Sequence, residues 1–516
     1  MKRILFVLAV PVLLVILPLA LRPSADWSES APERLVVITP NSEQIKYEFE
    51  HAFRKWYREH RGRDIMLDWR SPGGTSDIVR YINDRFEAEF RLYAKEHGIK
   101  WDDKAAAAFK DSRLTADNDP VRKLFLESDV GIGIDLFFGG GTYDQSKFAA
   151  IGYAVDAGVK ERHPDWFTDD AIPMSFAGEQ IYDPQGRYYG YCLSSFGIAY
   201  NFHRVRELGI DPPQNWIDLT APAFFGTLVL ADPTKSGSIT KCYEMILQQA
   251  MAELGPERGW AEGFRRVKLL TANARSIADS AGKVVRDVSS GEAAAGICID
   301  FYGFSEADWS RMTTGAPTMT YVMPRGGTAV TADPVQLLRG APNPDAAKDF
   351  IDFLLSEEGA KIWIQKPGTP GGPVRYAQLR PTVRKDSPQE IPADLQSIPD
   401  YRPYDLGGTF EYKSAWTGRY FSLIRVLIKC VALDPEDDLR AAWKAVLDNG
   451  GPEANPEAMA ELLSLPVPYE TAADGSKALG GTPPEAAAAR TRWTEAARQS
   501  YIRAAALARG KKGAAR

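Results

Sequence analysis

The sequence predicts an α/β protein, and three observations carry that prediction. From Arg34 onward, short apolar runs of strand length alternate with longer stretches of helical period. The runs end in loops of Gly, Ser, Thr, Asn or Pro that open into the next helical stretch. This β-loop-α order runs from Arg34 to about residue 150 and returns, without sequence repetition, in a second unit in the middle of the 516-residue chain. Such an order calls for a mostly parallel sheet with helices packed on it.

Each element follows from its own residues. "RLVVITP", Arg34 to Pro40, is a continuous apolar run and reads as a buried strand. An amphipathic helix follows, about Ser42 to Glu59, with Phe53, Trp56 and Tyr57 on one stripe and the basic residues of "FRKWYREHRGR" on the solvated face. "DIMLDWR" is the next strand, and "SPGGTSDIVRYINDRF" turns at Pro72-Gly73-Gly74 and starts a helix near Thr75. "SDVGIGIDLFFGGGTYDQ" holds one strand or two and runs into Gly139-Gly140-Gly141. In the middle unit, "YYGYCLSSFGIAYNFHRV" has strand character with a polar break at Ser194-Ser195, and "TLVLADPTKSGS" is a strand that ends in a serine-rich loop. "SAGKVVRDVSSGEAAAGICIDFYG" reads as a short helix, a turn and a strand ending at Asp300-Phe301-Tyr302. "MTYVMPRGGTAVTADPVQLL" has strand character. In "NPDAAKDFIDFLLSEEGAKIW", Ala346, Ala347, Phe350, Ile351, Leu354 and Leu355 fall at helical spacing. After residue 370 the chain turns Pro- and Gly-rich and reads as an extended crossing segment. Residues 411–448 read as helix, 466–482 as a linker, and a last helix opens at Thr482-Pro483-Pro484-Glu485 and runs to about Ala508. The tail "RGKKGAAR" is expected to be disordered.

Composition narrows the function. The net charge is −6, from 62 basic and 68 acidic residues, so a broad nucleic-acid surface, which needs a basic excess, is not expected. "MKRILFVLAVPVLLVILPLALRPSA" carries Lys2 and Arg3 ahead of an apolar run from Ile4 to Leu21. It reads as an export signal spanning residues 1–25. Cleavage after Ala25 would put Pro23 where a small residue is wanted, so an uncleaved N-terminal anchor stands beside it. Removal takes Lys2, Arg3 and Arg22 and moves the charge from −6 to −9. The four cysteines, Cys192, Cys242, Cys298 and Cys430, are far apart, which argues against a metal cluster or a disulfide scaffold, although an oxidising compartment permits a bridge. Cys298, in "AAAGICI", reads as a small core residue. HExxH, GxSxG and P-loop patterns are missing and the five histidines are scattered, so no enzyme is expected.

Ligands of open α/β sheets bind at loops beyond the carboxyl ends of strands. Asn41 and Ser42, Gly73 to Thr75, and Gly139 to Thr142 all hold that position, and Ser236-Gly237-Ser238 would set two hydroxyls and free N–H groups at a helix start. Each has a plainer reading. Gly73-Gly74 also fits a turn, Gly139–Gly141 also fits tight strand–helix packing, and Ser236–Ser238 also fits an ordinary helix cap.

The ordered series "PNSEQI", "SPGGTSDIVR", "DLFFGGGTYD", "GIAYN", "WIDLTAPAFFGTLVLADPTKSGS", "VSSGEAAAGICIDFYG" and "APNPDAAKDFIDFLLSEEGAKIW" resembles the extracellular solute-binding proteins of ABC transporters, in particular the ferric-iron, thiamine and phosphonate group. The resemblance covers about residues 34–375. It implies a two-lobed type II periplasmic-binding-protein fold, with lobe 1 near 34–150 and 318–380, lobe 2 near 151–317, and 381–516 as a mostly helical C-terminal extension. It further implies a monomer without a cofactor, outside the cytoplasm or tethered to the membrane, that passes a small solute to a permease in the cytoplasmic membrane. Iron binders of this group use a first-loop His, a Glu and two adjacent Tyr. Here Asn41 stands in the first loop and Phe301-Tyr302 at the Tyr pair, so an anionic solute is favoured over ferric iron. The expected ligand set is Asn41, Ser42, Gly73, Gly74, Thr75, Gly140, Gly141, Thr142, Ser236, Gly237, Ser238, Asp300 and Tyr302. Ferric-iron or thiamine binding, or a tethered solute sensor, are the alternatives.

Overall fold

The computed structural model describes residues 33–510. The apolar N-terminal run and the last six residues of the basic tail lie outside them. The strands that matter below are β1 (Glu33–Ile38), β2 (Ile65–Arg70), β3 (Leu136–Phe138), β4 (Tyr189–Asn201), β5 (Leu228–Ala231), β6 (Ala274–Ala278), β7 (Ala295–Ile299), β8 (Met319–Val322) and β9 (Val330–Leu338). The helices that matter below are α1 (Glu43–Arg61), α2 (Thr75–Glu96), α3 (Thr142–Ile151), α4 (Gly237–Leu254), α5 (Pro256–Ala272), α6 (Asp300–Thr314), α7 (Pro344–Leu355), α8 (Glu357–Ile364), α9 (Phe421–Ile428), α10 (Glu436–Asp448) and α11 (Pro483–Ala508).

One sheet runs through both lobes in the order β2-β1-β3-β9-β4-β7-β5-β6, with β8 also on β4. β1, β2 and β3 are parallel, as are β7, β5 and β6. The parallel expectation holds in these two sets and fails between them. β4 and β9 run antiparallel to each other and to their neighbours, because they are the strands that carry the chain from one lobe to the other. The result is the two-lobed type II arrangement, two α/β units sharing long crossing strands.

The alternation along β1 shows why its sequence is apolar throughout. Leu35 and Val37 enter a core with Phe49, Phe53, Phe350 and Trp363, while Val36 and Ile38 enter a second one with Ile82, Phe86 and Phe90 on the opposite face. The crossing is legible in β4. Tyr191 and Leu193 belong to the first lobe's core, Phe196 and Ile198 to that of the second, and the polar Ser194-Ser195 lies between. Ala157, Val159, Ile172 and Ile181 also pack in the first lobe, so the lobe boundary expected at residue 151 falls inside β4. The return, expected at 318, falls between Ala329, packed in the second lobe, and Val330, packed in the first. Within β9 the pairing to β4 is bulged between Asp333 and Pro334, where proline has no N–H to give the ladder.

The extension is no separate body. Leu423, Ile424, Leu427, Leu439, Trp443, Val446 and Tyr501 share one core with Trp260, Phe264 and Ile297 of the second lobe. The expected linker at 466–482 contains a helix, Ala472–Leu479.

Candidate functional site between the lobes

Three strand–helix junctions build the first lobe's side of the site. Because β1, β2 and β3 are parallel, their carboxyl ends share one edge, and α1, α2 and α3 start there. Ser42 caps α1 and accepts from the Ile45 N–H at 3.5 Å. Gly74 and Gly141 cap α2 and α3 with no side chain to accept from the helix; their carbonyls take the Asp77 and Asp144 N–H groups at 2.9 and 3.2 Å, and the first two N–H groups of each helix lie beyond intrahelical acceptors. On α2, Asp77 supplies part of the missing cap by accepting from the Gly74 N–H at 3.3 Å. A side chain on Gly74 or Gly141 would meet nothing within 4 Å, so both helix starts open on free space.

These loops touch one another. A Cβ on Gly139 would lie 2.9 Å from the Asn41 amide nitrogen, and one on Gly140 3.0 Å from the Thr75 methyl, at φ values of 101° and 82° that favour glycine. Asn41, Thr75, Gly140, Gly141 and Thr142 thus form one rim. Gly73 has the plainer role: a Cβ there would meet the Asp77 side chain that helps cap α2.

From Asn41 a floor runs across to the second lobe. The Asn41 amide donates to the Tyr191 hydroxyl at 3.3 Å, and the Tyr191 ring stacks on Trp363 at 5.3 Å. The Arg380 guanidinium lies 5.7 Å over Trp363 and 4.8 Å over Phe301, whose ring packs on Tyr302 at 4.2 Å. Arg380 is 1% exposed. It donates to Asp333 at 2.7 Å and Ser194 at 2.6 Å, and its Nε has no partner among the described residues. Burial works against its charge, and Asp333, with the other acidic groups around it, more than restores it. Asp333 lies at the β9 bulge.

Asp300 and Tyr302 were expected at a strand end and instead open α6, which follows β7 without a loop. Asp300 is fully buried and its oxygens are spoken for: Oδ2 accepts from the Ser195 N–H at 2.8 Å and the Tyr401 hydroxyl at 2.7 Å, and Oδ1 from the Phe301 N–H at 2.7 Å. Burial pushes its carboxyl up to about 6, against the pull of Arg380 and these donors. It ties the hinge together where the expectation had it facing a solute. Tyr302 is half-buried, and burial raises its hydroxyl.

Ser236 caps α4, accepting from the Ile239 N–H at 3.4 Å, and its hydroxyl lies 3.1 Å from that of Ser238. The plain reading of that stretch is therefore realised. Gly237 opens on free space, and the first-turn N–H groups of Gly237 and Ser238 lie beyond the reach of intrahelical acceptors. The extension connects this loop to the first lobe's rim. Lys429 pairs with Asp232 at 3.1 Å, while the Phe421 ring packs on Tyr143 of α3 at 5.0 Å.

Residues 131–394, just over half of the chain, match the family model described as bacterial extracellular solute-binding protein. The chain belongs to this family. An uncharacterized protein of Haemophilus influenzae is 30% identical over 238 residues, covering 45% of this chain and 61% of the relative. The phosphoglycerate transport regulatory protein PgtC of Salmonella typhimurium is 24% identical over 278 residues, covering 50% of this chain and 66% of the relative. The chain thus spans less than two thirds of the length of these curated relatives. Among solved structures, the periplasmic binding protein AfuA from Actinobacillus pleuropneumoniae, with fructose-6-phosphate bound, is 21% identical over 80% of this chain and 97% of its own, at a TM-score of 0.49. The family match ends before α9, so α9, α10 and α11 lie outside it.

Sequence reasoning missed Tyr191, Asp333, Trp363, Arg380 and Tyr401. Arg380 sits in a Pro-rich stretch with no periodicity to betray burial, and only its position before Pro381 hinted at extended backbone.

Proposed function

We propose that this chain captures a small anionic solute, a phosphate monoester or phosphonate, between its two lobes and delivers it outside the cytoplasm to an ABC permease, working as a monomer. The observation that carries the reading is the joining of the open helix starts at Gly74 and Gly141 to a floor that holds a fully buried guanidinium, Arg380. Helix N-termini favour negative charge by about 0.3–2 kcal/mol each, and the buried Arg380 Nε–H, which has no partner among the described residues, is one more donor. PgtC, whose name ties it to phosphoglycerate, is consistent with a phosphorylated guest. A cationic guest such as thiamine would meet the positive ends of those helices. Ferric iron would need oxygen donors that Asp300 has already committed and that Phe301 lacks.

Calorimetric titration with 3-phosphoglycerate, inorganic phosphate and ferric ion tests this, guided by native mass spectrometry of any co-purified solute. With Ser236→Ala and Ser238→Ala together, affinity for the organophosphate is expected to fall roughly ten- to a hundredfold, from two lost charge-assisted hydrogen bonds of about 1.5–3 kcal/mol each, partly replaced by water. A loss of about 1 kcal/mol of stability with unchanged affinity would leave the two serines as a cap alone. Ferric binding with a visible phenolate absorption band would overturn the anion reading. The word "regulatory" in the name of PgtC, together with the apolar N-terminal run, favours one second reading, a tethered solute sensor. N-terminal sequencing of the exported protein that finds Met1 intact would support it.

A further inference from the structure

Beside the crossing strands lies a cavity of about 570 Å³, walled largely by the chain from Arg380 to Asp405 and by Phe176. It meets the interlobe site only at the buried Arg380, which lines both; Asn41, Thr75, Gly140, Ser236, Ser238 and Tyr302 do not line it. Its size suits a small organic molecule. Four cationic residues line it, Arg380, Arg384, Lys385 and Arg402, against one acid, Asp405.

Two of these cations are already neutralised. Arg384 holds Asp386 through two hydrogen bonds, of 3.0 and 2.6 Å, and Arg380 holds Asp333 at 2.7 Å. The other two are not. The Lys385 ammonium donates to the Asp169 carbonyl at 2.8 Å and lies 5.1 Å over the Tyr404 ring, with no carboxylate partner. Arg402 is half-buried and makes no side-chain hydrogen bond or ion pair among the described residues. The buried Arg380 Nε is also without a partner. Asp405 is exposed and offsets only part of this charge. Phe176, Ile398 and Tyr404 supply apolar wall. Unpaired half-buried cations beside aromatic surface favour an anion with an apolar body, because partial desolvation strengthens the charge contact while the body covers the rings.

We propose that this cavity is a second binding site, adjoining the interlobe site at Arg380, for a small amphiphilic organic anion whose carboxylate or phosphate head meets Lys385 and Arg402 and whose body packs on Phe176 and Tyr404. The inference does not depend on which solute the interlobe site takes.

Ligand-observed fluorine NMR on the full chain tests it with 4-fluorobenzoate, 4-fluorophenyl phosphate and the neutral 4-fluorobenzyl alcohol at millimolar concentration. At least one anion is expected to broaden while the alcohol stays sharp, and which anion broadens more identifies the head group. The double variant Lys385→Ala, Arg402→Ala should weaken that binding at least tenfold, and Ser236→Ala with Ser238→Ala should leave it unchanged. If the double variant does not fold by circular dichroism, Arg402→Gln and Lys385→Gln singly are each expected to weaken binding at least threefold. Sharp lines for both anions, equal broadening of the alcohol, or undiminished binding in the folded Lys385 and Arg402 variants would overturn the proposal. So would a loss confined to the serine variant, which would place the probe between the lobes.

Discussion

Two seams hold this molecule together, and they are built from opposite materials. Between the second lobe and the extension the seam is largely apolar: Trp443, Leu439, Ile424 and Tyr501 share a core with Trp260 and Phe264, and polar bonds are set into and around it. Trp443 donates to Asn273 at 2.8 Å and Trp260 to the Val467 carbonyl at 3.0 Å. Between the two lobes the seam is polar, made of the Arg380–Asp333 pair, the Asp300 donors and Ser194-Ser195. Apolar seams resist separation because parting them exposes area at about 25 cal/mol per Å², whereas polar groups can exchange partners with water or a guest. The first seam is therefore permanent, and the second is the one that can change with a solute.

The comparison can be broken at its strongest point first. Trp443→Ala should cost about 4 kcal/mol, from a lost buried ring and an unpaired Asn273 Oδ1, and should unfold the second lobe with the extension in one transition. Urea denaturation checks it, and two separate transitions, with the extension melting first, would make the extension an independent body. Arg380→Met should cost about 3 kcal/mol by leaving Asp333 unpaired, and should weaken organophosphate binding as well. A stable variant with full affinity would remove Arg380 from the site.

The Asp300 carboxyl sharpens the same contrast through pH. Its folded value, raised to about 6 by burial, lies above the ordinary aspartate value near 3.9, so between these limits the folded state holds a proton that the unfolded state has lost. Stability then falls as pH rises from about 4 to 6 and this contribution is flat above, by roughly 2–3 kcal/mol in total. Asp300→Asn should remove that slope, while a Trp443 variant should keep it. Denaturation at a series of pH values reads both, and an Asn variant with the wild-type slope would contradict the assignment. The smallest effect is expected for Tyr302→Phe, which should weaken solute binding no more than tenfold, because one neutral hydroxyl contributes about 0.5–1.5 kcal/mol. Complete loss of binding would make Tyr302 the centre of the site.

What the sequence revealed follows local physics. "RLVVITPNSEQI" shows a two-faced buried strand, a loop and a capped helix, and all three are present, with Ser42 as the cap. The six apolar positions from Ala346 to Leu355 are all buried on α7, and Thr482 with Glu485 forms the cap of α11. The misses lie where distant contacts override local signals. Gly475, read as part of a linker, sits inside a helix, and it is glycine there because a Cβ would lie 3.2 Å from Val467 and 3.3 Å from Leu423. Asp300 looked like the end of a strand because β7 passes into α6 with no intervening turn residue. The lobe-1 loops could be read from their position after strands, but the floor of Tyr191, Trp363 and Arg380 joins three distant segments with no pattern within any one of them.

All four thiols are free and buried, and burial pushes each one up in pKa and so keeps it in the unreactive, protonated form. In an exported protein this is a form of chemical privacy, since an oxidant meets a thiol only when the fold around it opens. It also turns the cysteines into clocks. Cys192, on the first-lobe half of β4, can be labelled only when the crossing strands loosen, and Cys430, just past α9, only when the extension lifts. Their labelling rates under native conditions would read the opening free energies of the two seams separately, in one sample and without altering a residue.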